Sequence, residues 1–294
     1  MVGVATWGEL EGLCPNERFA DQPSAAFCSG VLVESDLVLT SKHCISNRSS
    51  SNVRAVLGYY YLDETQLAIV KSGVHEVNAV ISTSSDDDYP NTPDFAWLQL
   101  NKSTLTRTAS TRILNPNTPV ADGDMVITVN AGGGVPLKAD VGGTVVNARR
   151  QEADYFIASL DAFSGSSGGG VFTPAGDLIG VVAQGSPDFV GGASGCMTSA
   201  RLSDGAAQER IVYARRAVRS LCSAQPERMV CSDNQADIPL DGASTIAGSG
   251  FSCTLSPRSL PQRPVVASRL VTALVLLLVA MRRKNHHKST LRDF

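Results

Sequence analysis

The sequence predicts an all-β protein built as a barrel or a sandwich. Short runs that favour strands recur along most of the chain, and turn signals such as Asn91-Thr92-Pro93 separate them. Hydrophobic residues make up 43% of the 294 residues, which is ample for a buried core, and 26 glycines are typical of a loop-rich β protein. The length allows one large domain or two small ones.

The predicted strands follow one another at the spacing expected of a barrel or sandwich. The first two lie within residues 26–40, on either side of the turn Glu34-Ser35-Asp36. The remaining strands are predicted at Val53–Leu62, Leu67–Ile81, Phe95–Leu100, Met125–Asn130, Val141–Asn147, Tyr155–Leu160 and Leu178–Gln184. One helix is predicted over Ala206–Leu221, because apolar residues recur there at helical spacing. After it the composition shifts to Ser, Pro, Asp and Gly, so residues 223–264 are predicted to be a linker that follows a domain at 1–222.

The C-terminal region resembles a membrane or sorting segment at residues 265–284, followed by a short polar tail at 285–294. Its uninterrupted apolar part, Leu270–Met281, is shorter than the roughly 20 residues of a usual membrane span, but a basic cluster follows at once. The alternative is a buried or amphipathic helix. Under the positive-inside rule, anchoring through this segment would leave the last residues in the cytoplasm and the main body outside.

Charge and cysteine content narrow the partners and the compartment. The net charge is -3 and the main body has no long basic run, so nucleic acid is not expected as a partner. Seven cysteines without a CxxC pair argue against a zinc site and favour disulfides, which form in an oxidising, extracytoplasmic compartment. The N-terminus carries no export signal, so we expect the start to be truncated or wrongly assigned in a protein located at the cell surface or secreted.

Three segments carry the residues of a nucleophilic site: LTSKHC at 39–44, PDFAWLQL at 93–100 and FSGSSGGGV at 163–171. Each alone has an ordinary structural explanation, but together they give His43, Asp94 and Ser167 in one β-rich chain. A serine hydroxyl needs a base to take its proton, and a neutral imidazole suits that task near neutral pH. A carboxylate then fixes the imidazole tautomer, while glycines allow a sharp turn that aims N–H groups at a developing oxyanion.

These segments resemble the signature of the chymotrypsin-fold (trypsin-like) serine proteases, and within them the bacterial branch of glutamyl endopeptidases and V8-like proteases. TSKHC resembles the TAAHC of the family and the TNKH of that branch, PDFAWLQL resembles DIALLKL, and GSSGGGV resembles GDSGGPV. The resemblance covers about Cys14 to Cys222. It implies two six-stranded antiparallel β-barrels with a C-terminal helix, and an active site in the cleft between the barrels.

The resemblance also assigns roles to residues. It implies a serine endopeptidase in which His43 is the general base, Asp94 orients it, Ser167 attacks the peptide carbonyl, and the N–H groups of Gly165 and Ser167 form the oxyanion hole. The substrate is a protein or peptide, and no metal or organic cofactor is required. Two other functions remain: an inactive protease fold kept for binding or adhesion at the cell surface, and a serine esterase.

The resemblance implies one disulfide and leaves the partners of the other cysteines undecided. Cys28 and Cys44 resemble the disulfide that braces the histidine loop, with two free buried cysteines as the alternative. Cys253 pairs with Cys231 or belongs to a sorting signal, and the partners of Cys14, Cys196 and Cys222 stay open.

The specificity of the site is harder to read. Asp161 lies where trypsin-like enzymes place the acid of their S1 pocket, and a buried carboxylate there would favour Arg or Lys substrates. Gln184 and Gly185 line the pocket by resemblance. Val182 stands where the glutamyl branch has a histidine, which argues against glutamate specificity. Ser166 replaces the aspartate that receives the new N-terminal amine in trypsin-like zymogens, so that activation step is not expected.

Overall fold

The strands of this chain close into two barrels in which neighbouring strands run antiparallel. The computed structural model describes residues 4–69, 71–84, 93–101, 111–114, 120–149, 154–192, 195–203, 206, 209–234 and 275–280. A small two-stranded sheet and three helices complete the described part. The predicted fold class, two six-stranded antiparallel barrels with a C-terminal helix, is confirmed.

The first barrel holds the segments that carry His43 and Asp94. Its strands are β1 (Cys28–Glu34), β2 (Leu37–Thr40), β3 (Val53–Val56), β4 (Val74–Thr83), β5 (Ala96–Leu100) and β14 (Val275–Ala280). Around the barrel they lie in the order β1-β14-β3-β4-β5-β2. Strands β1 and β2 are buried at every position, because the inner face packs in the barrel while the outer face packs on the second barrel.

The second barrel holds the segment that carries Ser167. Its strands are β6 (Met125–Asn130), β7 (Lys138–Asn147), β8 (Tyr155–Ser159), β9 (Gly170–Phe172), β10 (Leu178–Gln184) and β13 (Glu209–Tyr213), in the order β10-β13-β8-β7-β6-β9. The hairpin β11 (Phe189–Gly191) and β12 (Met197–Ser199) stands outside it. The helices are α1 (Trp7–Glu11), α2 (Ala214–Ala224) and α3 (Met229–Asn234).

One apolar cluster joins the two barrels and helix α2. It contains buried residues from both barrels and from the helix, among them Val31, Leu39, Trp97, Phe172, Val181 and Leu221. Within it the indole Nε1–H of Trp97 donates a hydrogen bond to the carbonyl of Ala217 at 2.8 Å, so the polar atom of this buried ring is satisfied. This shared core fixes the position of the two barrels relative to each other.

The predicted helix over Ala206–Leu221 is wrong in its first part. Residues Glu209–Tyr213 form strand β13, which pairs with β10 and β8, and helix α2 begins only at Ala214. The apolar residues Ile211, Ala214 and Val218 fit one helical face, but Ile211 and Tyr213 also fit the alternation of a short strand. The spacing of apolar residues alone does not locate the boundary where a strand runs directly into a helix.

The ordered body also extends beyond the predicted domain end at 222. Helix α2 continues to Ala224, and α3 packs back on the β1–β2 turn, where Arg228 pairs with Glu34 and Asp36. Disulfides join Cys222 to Cys231 and Cys14 to Cys196. The alternative pairing of Cys231 with Cys253 is therefore excluded. Cys253 and the rest of the predicted linker, residues 235–264, lie outside the described residues.

Part of the predicted membrane or sorting segment forms a strand. Strand β14 pairs with β1 in the register Ser29 to Leu277 and with β3 in the register Ala55 to Leu278. Its backbone thereby satisfies the facing edges of β1 and β3, which would otherwise be open. Residues 265–274 and 281–294 lie outside the described residues. Among the helices that the structure describes, none is both long and apolar enough to cross a membrane.

Deleting residues 265–294 is expected to destabilise the first barrel, because β1 and β3 lose their shared neighbour. We expect the melting temperature to fall by roughly 5–10 °C, equivalent to about 2–3 kcal/mol for a domain of this size. Deletion of 285–294 alone keeps β14 and is the matched control. An unchanged melting temperature, together with release of the shortened protein from membranes, would favour an anchor over a barrel strand.

Candidate active site

His43 and Asp94 come together because their strands are neighbours. His43 lies in the short turn Lys42–Cys44 that follows β2, and Asp94 lies just before β5, which pairs with β2 through Thr40 and Ala96. The Nδ1 atom of His43 is 2.5 Å from Oδ2 of Asp94, and the His43 backbone N–H donates to Oδ1 at 3.1 Å. With both oxygens engaged, the carboxylate favours the tautomer that carries its proton on Nδ1 and leaves Nε2 free to accept one.

Exposure differs sharply between the two partners. The His43 side chain is 45% exposed, whereas that of Asp94 is 11% exposed. The carboxylate is therefore held below the surface, where it orients the ring, and the imidazole is open to solvent.

The loop between β8 and β9 presents Ser167 and two unused backbone donors. The N–H groups of Ser166, Gly168 and Gly169 donate to backbone carbonyls within the fold. In the described part of the chain, the N–H groups of Gly165 and Ser167 have no acceptor. Gly165 and Gly168 have φ values of 99° and 82°, a region that side chains with a Cβ rarely adopt. The loop thus leaves two alternate N–H groups, those of Gly165 and Ser167, without an acceptor among the described residues.

Ser29 ties this loop to the first barrel. Its side chain is fully buried; Oγ donates to the Gly165 carbonyl at 2.8 Å and accepts the Ala131 N–H at 2.9 Å. Its backbone N–H donates to the Ser167 carbonyl at 2.8 Å. A Cβ on Gly168 would meet Thr40 and Ser29, so the loop approaches the first barrel closely enough that only glycine fits. Ser29 was not predicted from the sequence; the only signal is a hydroxyl among the small and apolar residues at the start of β1.

The disulfide between Cys28 and Cys44 lies between the histidine and the serine loop. Sγ of Cys44 is 3.9 Å from Nε2 of His43 and 3.8 Å from the Ser167 carbonyl. These three side chains, Cys28, His43 and Cys44, are close enough to be considered as metal ligands. The two sulfurs are bonded to each other and offer no thiolate, so the group does not fit a metal.

The structure pairs His43 with Asp94 and brings the loop of Ser167 close to them: Cys44 Sγ is within 4 Å of both His43 Nε2 and the Ser167 carbonyl. Among the described residues, no hydrogen bond joins Ser167 Oγ to His43 Nε2. Such bonds are often long before a substrate binds.

The three residues predicted to shape the substrate pocket are all exposed: Asp161, Gln184 and Gly185. The backbone N–H of Asp161 donates to Asp140 at 3.0 Å. A preference for Arg or Lys substrates would require a buried carboxylate in the pocket, and Asp161 is exposed. Its role in specificity stays a prediction that burial does not support. Gln184 ends strand β10 and Gly185 follows it.

Two polar residues beside the serine loop were missed. Asn130 accepts hydrogen bonds at Oδ1 from the Ser166 hydroxyl at 2.8 Å and from the Gly132 N–H at 2.9 Å. Asp188 accepts the Ser164 N–H at 2.8 Å, and burial raises the pKa of its carboxyl while that hydrogen bond opposes the rise. Both occur in segments that resemble ordinary strand ends and turns, so their sequence carries no distinct signal.

Comparison with known proteins places this chain in a family. The sequence profile of the trypsin-like peptidase domain matches residues 28–181, more than half of the chain. The chain therefore belongs to the trypsin-like peptidase family. No curated protein sequence matches it.

Two solved structures that are similar to this chain have low sequence identity to it. Rv3671c from Mycobacterium tuberculosis, in an inactive form, is 16% identical with a TM-score of 0.42, over 68% of this chain and 82% of that one. Kallikrein-related peptidase 10 in complex with Zn²⁺ is 16% identical with a TM-score of 0.42, over 67% of this chain and 88% of that one.

Replacing Ser29 with Ala is expected to lower the free energy of unfolding by about 2 kcal/mol, because the buried Gly165 carbonyl and Ala131 N–H lose their shared partner. Chemical denaturation measures this change. Ser223→Ala, which removes an exposed hydroxyl that bonds only within its helix, is the control and should have little effect. Equal effects of the two substitutions would show that Ser29 does not hold the loop.

Proposed function

We propose that this protein is a serine endopeptidase that cleaves peptide bonds through an acyl-enzyme. Ser167 Oγ attacks the scissile carbonyl while His43 Nε2 takes its proton and passes it to the leaving amine. Water then attacks the acyl ester with His43 again as base, which releases the acid and restores Ser167. Asp94 holds the ring and stabilises the imidazolium that forms in both steps.

The observation that carries this proposal is the pairing of a sheltered carboxylate with an exposed imidazole. Asp94 accepts both the ring Nδ1–H and the backbone N–H of His43. This leaves one basic nitrogen, Nε2, beside the loop that bears Ser167. A structural histidine in a core would not combine such a fixed tautomer with an open ring.

The oxyanion hole is proposed at the N–H groups of Gly165 and Ser167. Both are without an acceptor in the described part of the chain, while their neighbours in the loop are used. Preorganised donors of this kind stabilise charge that develops in the transition state, and the loss of one typically costs about 3–4 kcal/mol of barrier.

Within the trypsin-like family, we place the protein nearest the bacterial glutamyl endopeptidase and V8-like branch, without glutamate specificity. Ser166 makes neutral hydrogen bonds with Asn130 and the Phe163 N–H, so the position offers no carboxylate to a new N-terminus. Val182 is buried and apolar where that branch uses a histidine. Three disulfides among the described residues support an extracytoplasmic location.

A second candidate is an inactive binding module, and one observation favours it. His43 Nε2 lies toward Cys44, and no hydrogen bond connects it to Ser167 among the described residues. A serine esterase would use the same chemistry on other acyl groups. A peptide library assayed beside a panel of esters separates the esterase from the peptidase.

An activity-based probe tests the nucleophile. We expect a fluorophosphonate to label the oxidised, folded protein at Ser167 and to leave Ser167→Ala unlabelled, because only an activated hydroxyl attacks the probe. Ser223→Ala should be labelled like the wild type. A folded wild type that takes no label would favour the binding module.

Replacing Asp94 with Asn is expected to lower kcat by about 10³–10⁴-fold. The amide oxygen can still accept the His43 backbone N–H, but the amide N–H₂ then faces Nδ1 and favours the tautomer that cannot accept the Ser167 proton. Peptide hydrolysis measures the loss. Glu76→Gln, which alters an exposed carboxylate paired with Arg54, is the control. Asp94→Asn activity within tenfold of the wild type would contradict this role of Asp94.

A further inference from the structure

The N-terminal arm, residues 6–14, packs directly on the supports of the serine loop. Trp7 is 4% exposed, and its ring centroid lies 5.2 Å from that of Phe163 and 5.9 Å from that of Phe189. Phe163 lies within the serine loop, which connects β8 to β9, and Phe189 begins β11. A short helix with a capping box between Thr6 and Glu9 holds the tryptophan in place.

The Trp7 ring also covers Gly133. A Cβ on Gly133 would collide with that ring, and the φ of Gly133 is 66°, so only glycine fits beneath the tryptophan. The Gly133 N–H donates to the Ser164 carbonyl at 2.7 Å, and the Gly133 carbonyl accepts the Ser24 hydroxyl at 2.7 Å. Trp7 therefore contacts Gly133, and Gly133 in turn is hydrogen-bonded to the serine loop.

The hydrogen bond to the Ser164 carbonyl sets the direction of the Gly165 N–H. Both groups belong to the same planar trans peptide, in which the carbonyl and the N–H point in opposite directions. Gly133 holds one side of this peptide, so the Gly165 N–H must point away from it. A half-turn of the peptide would withdraw this donor from the cleft.

The far end of the arm is fastened to the other support of the same loop. Cys14 is bonded to Cys196, and the arm pairs with β12, where the Cys14 N–H donates to the Met197 carbonyl and the Met197 N–H donates to the Gly12 carbonyl, both at 2.9 Å. The same hairpin carries Asp188 just before β11, and Asp188 accepts the Ser164 N–H.

We propose that the N-terminal arm positions the oxyanion donor Gly165, with Trp7 and the Cys14–Cys196 disulfide as its two fixed points. Trp7 packs on Gly133, and the Gly133 N–H donates to the Ser164 carbonyl. The Cys14–Cys196 disulfide fixes the β11–β12 hairpin, and Asp188 beside that hairpin accepts the Ser164 N–H. Trp7 is a positioning residue, since it contacts Phe163 in the loop and the supporting residue Gly133 but not the reacting atoms. The inference rests on the proposed peptidase function for its kinetic consequence.

Two pairs of variants test the arm. Trp7→Ala removes the ring and Trp7→Phe keeps an aromatic contact, while Cys14→Ser with Cys196→Ser opens the disulfide. Cys222→Ser with Cys231→Ser opens a disulfide between α2 and α3, away from the loop, and is the matched control. We expect Trp7→Ala and the Cys14–Cys196 variant to lower kcat about 10–100-fold with KM within about threefold, because an oxyanion donor acts mainly on the transition state. Trp7→Phe should retain most of the activity.

Hydrogen exchange gives a second readout that needs no activity. In Trp7→Ala and the Cys14–Cys196 variant, segments 131–134 and 163–167 should exchange faster than in the wild type, and the Cys222–Cys231 control should leave them unchanged. Unchanged exchange, or a kcat loss no larger than that of the control, overturns the inference. A wild type that hydrolyses no peptide but shows the expected exchange pattern would refute the proposed function and leave the positioning role standing.

Discussion

The site depends on the hydrogen bonds through which Ser29 of the first barrel holds the serine loop of the second. His43 and Asp94 belong to the first barrel and Ser167 to the second, so the distance between them is set by the contact between the barrels. Ser29 makes this contact three times, to Gly165, Ala131 and Ser167. Because the hydroxyl is fully buried, losing either partner would leave a polar atom without water to replace it.

Around this polar junction the structure uses apolar packing for alignment. The core cluster that contains Trp97 and Leu221 runs through both barrels and α2, so the barrels cannot slide without opening it. The Cys28–Cys44 disulfide then restrains the turn that carries His43, and its Cys44 sulfur lies 3.8 Å from the Ser167 carbonyl. Rigid supports of this kind suit the proposed oxyanion donors, which must be aimed before a substrate arrives.

Local patterns predicted the strands that stand alone between turns. Strands β6 and β10 have the bounds read from the sequence, since each is a short apolar run between turn residues. The start of α2 was wrong because β13 runs into it without a turn. Strand β14 was not predicted, because an apolar run before a basic cluster resembles a membrane segment. The sequence of this run does not show that it pairs with β1 and β3.

The proposed triad could be predicted from the sequence for a different reason. His43, Asp94 and Ser167 lie in short motifs whose residue types the reaction itself requires, so they can be recognised without coordinates. Ser29, Asn130 and Trp7 act through contacts with residues far away in the chain; Ser29 and Gly165 are 136 positions apart. No periodicity or motif encodes such a contact. The exposure of Asp161 likewise follows from the packing of loops, which composition does not reveal.

The most direct test of the account is to trap the acyl-enzyme. A cleaved peptide identified from a library would be mixed with the protein, quenched in acid within the first turnover, and analysed by intact mass and peptide mapping. We expect an added mass equal to the acyl half of that peptide, located on Ser167 and absent from Ser167→Ala. Hydrolysis without such an adduct under first-turnover conditions, or an adduct on another residue, would contradict it.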